Sequence, residues 1–179
     1  MIKLHKPLPN TITVGGRGFL VKTDFRYWLL FYELIKQDDV KLNDLYFLFE
    51  NDIPNEDFSK ELVEFFTNPN STPKDNGKSE DNVIDYIEDG EYIYSSFKYA
   101  YGIDLLTDNL HWHQFKALVI GLPNNTIMGQ IMGFRGYKKD TRSFDKVQEE
   151  LKRTWALPKV KSKEEKEIME EINSQFYGA

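Results

Sequence analysis

The side chains in this sequence able to carry a reaction are few. They are His5, His111 and His113, a run of carboxylates at Asp81, Asp85, Glu88, Asp89 and Glu91, and a glycine cluster at Gly15, Gly16 and Gly18. Two imidazoles on one helix face can share a metal, which needs a spacing such as i, i+4. His111 and His113 are two apart, about 200° around a helix. Their spacing predicts polar contacts around Trp112, and a metal site would have to be assembled from distant segments. The acidic run puts Asp85 on one helix face with Glu88 and Asp89, but no basic residue or histidine stands near it in sequence. It reads as a solvated face that suits the N-terminal end of a helix dipole. The glycines lie between two strand-like runs, Thr11 to Val14 and Phe19 to Lys22, and not between a strand and a helix. They therefore read as a hairpin turn and not as a phosphate cradle. The patterns G-x-S-x-G, Walker A, H-E-x-x-H and EF-hand do not occur, and there are no cysteines. Thiolate ligands, disulfides and cysteine nucleophiles are thereby excluded. The expectation is a non-catalytic protein without metal or cofactor.

Composition points to binding. Aromatic residues make up 15% of the 179, with 13 Phe, 10 Tyr and 3 Trp. Such side chains dominate both cores and protein contacts because each buries a large area at little rotamer cost. The net charge is −6, from 29 acidic and 23 basic residues, whereas nucleic-acid binding draws on concentrated basic charge. The only basic clusters are Arg135, Lys138, Lys139 and Arg142, and Lys159, Lys161 and Lys163; both are short and interrupted. No nucleic-acid partner is expected. Met1 to Asn10 lacks a signal-peptide core. The most apolar stretch, Phe25 to Ile35, is about half the length of a bilayer span. A cytoplasmic location with no membrane partner is expected.

The elements that must position these residues follow from periodicity and caps. After the hairpin, Thr23 or Asp24 caps a helix from Phe25 to about Gln37. That helix is apolar nearly all round, so it must be covered on several sides, by its own fold as a core helix or by another chain. Helices are predicted at Leu42–Glu50 and Glu56–Thr67, separated at Pro54. Residues 68–81 hold no apolar side chain and read as a loop inside the domain. A long helix is predicted from Val83 to Tyr101, with Tyr92 and Tyr99 outside its apolar face and Gly102 at its end. Further helices are predicted at Leu110–Ile120, Thr126–Met132 and Phe144–Trp155. Pro158 closes this block. Beyond it, Ser162 and Glu165 form a capping box, and Ile168, Met169, Ile172 and Phe176 trace a thin apolar stripe through charged residues. Such a segment docks either on its own domain or on a partner. The organisation is a mainly α protein: a helical bundle with a small N-terminal β-hairpin over residues 1–157, then an amphipathic C-terminal helix over 158–179.

The stretch from Asp89 to Arg135 also carries a resemblance. Its features are Tyr92-Ile93-Tyr94 with Phe97, Tyr101-Gly102-Ile103-Asp104-Leu105, Leu110-His111-Trp112 with Phe115 and Leu118, Gly121-Leu122-Pro123, and Ile131-Met132-Gly133-Phe134-Arg135. Thr23-Asp24-Phe25-Arg26 and Trp155-Ala156-Leu157 fit as well, so about residues 10–157 are covered. As an ordered set they resemble the tail assembly chaperones of siphoviruses infecting Gram-positive bacteria. The resemblance implies a host-cytoplasmic, non-catalytic protein that holds the tape-measure protein and tail-tube subunits soluble before assembly. The tape measure is a long apolar helical rod, and its chaperone needs apolar helical surface, acidic charge and no reactive group. The expected contacts with clients or with a second copy are Trp28, Tyr32, Tyr92, Tyr99, Ile168, Ile172 and Phe176. The rival readings are a nucleic-acid-binding phage regulator using Arg135, Lys138, Lys139 and Arg142, and a metal-dependent enzyme using His111 or His113 with the acidic run.

Overall fold

Two glycines with positive φ, Gly15 at 56° and Gly16 at 79°, make the tight turn that the sequence calls for. Both central positions of a type I′ turn need the left-handed region, and glycine enters it without a Cβ clash. The turn joins β1 (Thr11–Val14) to β2 (Arg17–Leu20), antiparallel with Val14 opposite Arg17 and Thr11 opposite Leu20. The computed structural model describes residues 2–37, 40–67, 83–138 and 145–158. The predicted connector at 68–81 lies outside the described residues, as does the predicted stripe after Pro158.

The other named elements among the described residues are helices. After the hairpin come α1 (Phe25–Leu34), a short 3-10 helix (Leu42–Leu48), α2 (Ser59–Thr67), α3 (Gly90–Tyr101), α4 (Trp112–Ile120), α5 (Ile127–Arg135) and α6 (Lys146–Thr154). The mainly α class with an N-terminal hairpin is what the structure has. The starts of α1, α4, α5 and α6 are each set by a side chain that accepts a free backbone N–H. Asp24 accepts from the Arg26 N–H in α1, Thr126 from the Gly129 N–H in α5, and Asp145 from the Val147 and Gln148 N–H groups in α6. α4 uses a histidine for this: His111 Nδ1 accepts the His113 N–H at 3.0 Å, and Gln114 Oε1 accepts the His111 N–H at 3.1 Å. α3 ends at Gly102, whose φ of 69° turns the chain out of the helix.

Two predicted elements differ. The 42–50 segment winds as a 3-10 helix and stops at Leu48, because Lys22 and Glu50 exchange backbone hydrogen bonds with Leu48 and Leu20 and draw the chain beside the hairpin. Residues 83–89 do not belong to the long helix. Asp85 Oδ1 accepts the N–H groups of Ile87 and Glu88, and Asp89 accepts the Asp85 N–H, so side chains satisfy the backbone in turns and helix starts only at Gly90.

α1 packs on α4 and on the 3-10 helix, α2 on β1, and α5 on both α3 and α6. At the centre Trp28 and Trp112 stack at 6.5 Å between centroids; Trp28 also stacks on Phe65 at 4.4 Å and Trp112 on Phe66 at 4.8 Å. Each indole N–H is satisfied, Trp28 donating to the Lys22 carbonyl and Trp112 to the Phe66 carbonyl. The Lys116 ammonium donates to the Phe66 and Thr67 carbonyls at the end of α2, and burial lowers its pKa to about 8. The apolar α1 therefore buries Phe25, Trp28 and Phe31 and leaves Tyr27 and Leu30 exposed on its outer side.

Candidate functional site

The outer side of α1 borders a groove. Between α1 and the first turns of α3 lies a concavity of about 640 Å³. Phe25, Ile93 and Phe115, all buried, form its floor, and Tyr86 stands over the Phe115 ring with centroids 6.0 Å apart. Burial pushes the Tyr86 hydroxyl up to about 12, so it stays protonated at any physiological pH. Leu29 and Tyr94 make the facing walls, and Leu105 and Leu106 the rim. Leu106 is 76% exposed. The charged groups at the edge are Arg26 and Glu91.

The rim is built by residues distant in sequence. Gly102 turns the chain after α3, and an Asx-type network then folds it back: Asp104 Oδ1 accepts the Leu106 N–H and Asp108 Oδ2 the Asp104 N–H. Lys98 donates to Asp104 at 3.0 Å, which raises the lysine's pKa and lowers that of the carboxyl. Arg26 anchors this loop to α1. Its guanidinium donates to the Leu105 carbonyl at 2.8 Å, the Asp108 carbonyl at 2.9 Å and Asn109 Oδ1 at 3.3 Å, while pairing with Asp24. Arg26 also separates the groove from a more polar concavity lined by Thr23, Tyr27, Asn109 and His111.

The predicted contact residues fall elsewhere. Trp28 is corrected outright: it is 0% exposed, a core residue with no surface to offer. Tyr32 is half-buried, stacked on Phe66 and donating its hydroxyl to Asp85; burial and the neighbouring carboxylate raise its pKa. Tyr92 lies under the Trp155 ring, edge-on at 5.7 Å. Tyr99 is 71% exposed but is not part of the groove. Ile168, Ile172 and Phe176 lie outside the described residues. The structure thus brings none of the four described ones to the groove, and the residues that line it were not among those expected. A signal was present: Leu105-Leu106 are adjacent leucines in the polar segment Asp104–Asn109, where no helix or strand period explains them.

The rival sites are also rearranged. The acidic run is a solvated face only in part: Glu88 and Glu91 are exposed, whereas Asp85 and Asp89 are buried. Asp89 is 1% exposed and forms a bidentate ion pair with Arg135, Nη1 to Oδ2 at 2.5 Å and Nη2 to Oδ1 at 2.8 Å. Arg135, 7% exposed, further donates to the Trp155 and Val83 carbonyls. Every part of that guanidinium is engaged inside the fold, which removes it from any phosphate-binding cluster. Lys139 and Arg142 lie outside the described residues. Asp85 pairs with Lys36 at 2.6 Å; burial resists its ionisation, but the Lys36 contact and two backbone N–H groups outweigh burial and lower its pKa. His111 and His113 do not diverge by 200°, because His111 is an extended capping residue; their rings lie 5.1 Å apart. Yet His111 spends both nitrogens, Nδ1 on the His113 N–H and Nε2 on the Pro9 carbonyl. A carbonyl only accepts, so Nε2 carries the proton and neither nitrogen has a lone pair left for a metal. Among the described residues no three His, Asp or Glu side chains are grouped to hold a metal ion.

The sequence profile of the bacteriophage Gp15 protein family matches residues 4–159. The chain belongs to that family. It is a phage protein, and the match spans the whole hairpin and all six α-helices. The chain matches no curated protein and no solved structure. No helix among the described residues is long and apolar enough to cross a membrane.

Proposed function

We propose that the chain is a tail assembly chaperone, non-catalytic, whose groove between α1 and α3 takes the apolar face of a helix in the tape-measure protein or a tail-tube subunit and keeps that client soluble. The groove is the observation that carries the reading. A site for a small molecule fixes its ligand with a few convergent polar groups. Here the one guanidinium at the edge spends its donors on loop carbonyls, and what remains is a broad apolar trough. Such a trough accepts any amphipathic helix whose anchors recur at i, i+3, i+4 and i+7. That tolerance suits a client that is a long rod of related helical segments. The net charge of −6 keeps the loaded complex soluble. Membership of a phage family and the tail-chaperone resemblance of residues 10–157 support the same reading.

Leu106 tests it. An exposed residue is replaced with little effect on folding, within about 0.5 kcal/mol. Burial of a leucine against a partner contributes about 1.5–3 kcal/mol, roughly 10–100-fold in affinity. Co-expression with a fragment of the phage's tape-measure protein is expected to keep that fragment soluble, and Leu106→Asp is expected to return it to the insoluble fraction. A fragment equally insoluble with and without the wild-type chain ends the chaperone reading. One kept soluble by Leu106→Asp moves the site away from the groove.

A further inference from the structure

Taking the groove as the client site, as above, we infer that it selects a basic helix in one direction, with a Lys or Arg seated against Glu91 about two turns from the apolar anchor that packs on Leu106. The α3 wall sets that spacing. Glu91, Tyr94 and Lys98 follow one another along one stripe of α3, and the first two line the groove. The seven residues from Glu91 to Lys98 rise about 10 Å along the helix. Asp104 ties Leu106 to the Lys98 end: its Oδ2 takes the ammonium at 3.0 Å and its Oδ1 the Leu106 N–H at 3.1 Å. Glu91 stands at the other end of that stripe, beside Gly90.

The two ends differ in how far their charges are already matched. Among the described residues that line the groove, Arg26 is the only cation and Glu91 the only carboxylate. Arg26 is paired with Asp24 and spends donors on the loop carbonyls, and Lys98 is paired with Asp104. The surplus acid at this end is Asp108, whose Oδ2 already takes the Asp104 N–H. A cation brought here therefore meets two fixed cations. At the Glu91 end the buried carboxylates Asp85 and Asp89 are matched by Lys36 and Arg135. Glu91 and Glu88, both exposed, have side chains that pair with no cation among the described residues. First-turn carboxylates also offset the helix dipole, but that dipole amounts to about half a unit charge, less than either of them alone.

This surplus borders an apolar trough, whose walls concentrate the field. A helix carrying a cation at that register is drawn in, and one carrying a carboxylate there is repelled. Apolar anchors alone leave register and direction open, because they repeat along an amphipathic helix. The charge removes the ambiguity by penalising the wrong arrangements. Turned end for end, the same helix brings its cation to Arg26 and Lys98.

Two labelled helical peptides with identical leucine anchors serve as probes, one carrying Lys and the other Glu two turns from the terminal anchor. Fluorescence anisotropy reports their binding to the full chain. At about 0.01 M salt the Lys peptide is expected to bind wild type about five- to tenfold more tightly than the Glu peptide, and at about 1 M salt that preference is expected to vanish. Glu91→Gln is expected to remove most of the preference and Glu91→Lys to reverse it. Glu33→Lys changes the net charge equally on an exposed position of α1 off the groove, and is expected to leave the preference in place. A preference unchanged in Glu91→Lys, or lost equally in Glu33→Lys, would overturn the inference, because the charge would then act only as part of the overall field. Equal binding of both peptides to wild type, with both lost in Leu106→Asp, rejects the charge and leaves the chaperone reading intact. Binding of neither peptide also overturns the inference, while the solubility of the tape-measure fragment still decides the chaperone reading by itself.

Discussion

Arg135 shows how far a residue's role depends on what it meets. In sequence it stands in a basic cluster, and Asp89 stands in an acidic run; in the fold they form one buried pair, 46 residues apart. Asp89 also accepts the Asp85 N–H, and Arg135 also holds the Trp155 carbonyl, so the pair joins α5, the turn before α3 and the exit of α6. Removing one partner of such a pair leaves an uncompensated buried charge, at a cost of about 3–5 kcal/mol, whereas replacing both by apolar groups is far milder. Arg135→Met is therefore expected to lower unfolding free energy in urea by about 3–5 kcal/mol. Arg135→Met with Asp89→Leu is expected to recover most of that loss. A single variant within about 0.5 kcal/mol of wild type would show that the pair is solvated, not buried. The tryptophans were legible unevenly: the period of the 110–120 helix turns Trp112 inward, where it is found, but Trp28 was readable only by type. Their number announced an aromatic core, but nothing local distinguished Trp28 at the centre from a residue on the surface.

At the scale of elements, the hairpin and the presence of all six α-helices were readable, because turn glycines, apolar periodicity and caps are written within a few residues of each other. Boundaries failed where side chains competed for the backbone. Val83 to Asp89 has helical periodicity, yet Asp85 and Asp89 take the N–H groups that a helix would use. Close packing of an element is harder still to read. Gly129 in α5 passes so near Pro123 that a Cβ there would overlap the Pro123 carbonyl oxygen, and backbone cannot swing aside as a flexible side chain can. Gly129→Ala improves helix propensity by about 1 kcal/mol in isolation, but overpacking of this kind costs about 1–3 kcal/mol. The net expectation is a destabilised protein, with a lower midpoint in thermal unfolding. Gly133, with open space around it, is the control: Gly133→Ala is expected to be neutral or stabilising.

Across the whole molecule, the stability responds to pH through His113. Its ring lies 4.8 Å from that of Phe65 and 5.1 Å from that of His111. Burial, then the neighbouring charges of His111 and Lys116, lower its pKa from 6.5 to about 4. The unfolded chain therefore takes up this proton first. The contribution of a neutral His113 is complete above about pH 6.5 and declines as pH falls toward about 4, at no more than ~1.4 kcal/mol per pH unit for a single proton. Unfolding curves recorded at steps through that window are expected to show this slope in the wild type and a flatter one in His113→Gln. Parallel curves for the two proteins would assign the slope to other groups. Taken by itself, the sequence determined what depends on near neighbours: the class of fold, the hairpin turn, the helical segments with most of their caps, and an interior rich in aromatic rings. Tertiary structure alone decided which charges are buried and where an apolar trough stays open. The physical reason is range. The groove exists because Arg26 reaches 79 residues along the chain to hold the Leu105 carbonyl, and so sets Leu106 opposite α1. No periodicity within a single segment encodes a contact of that span.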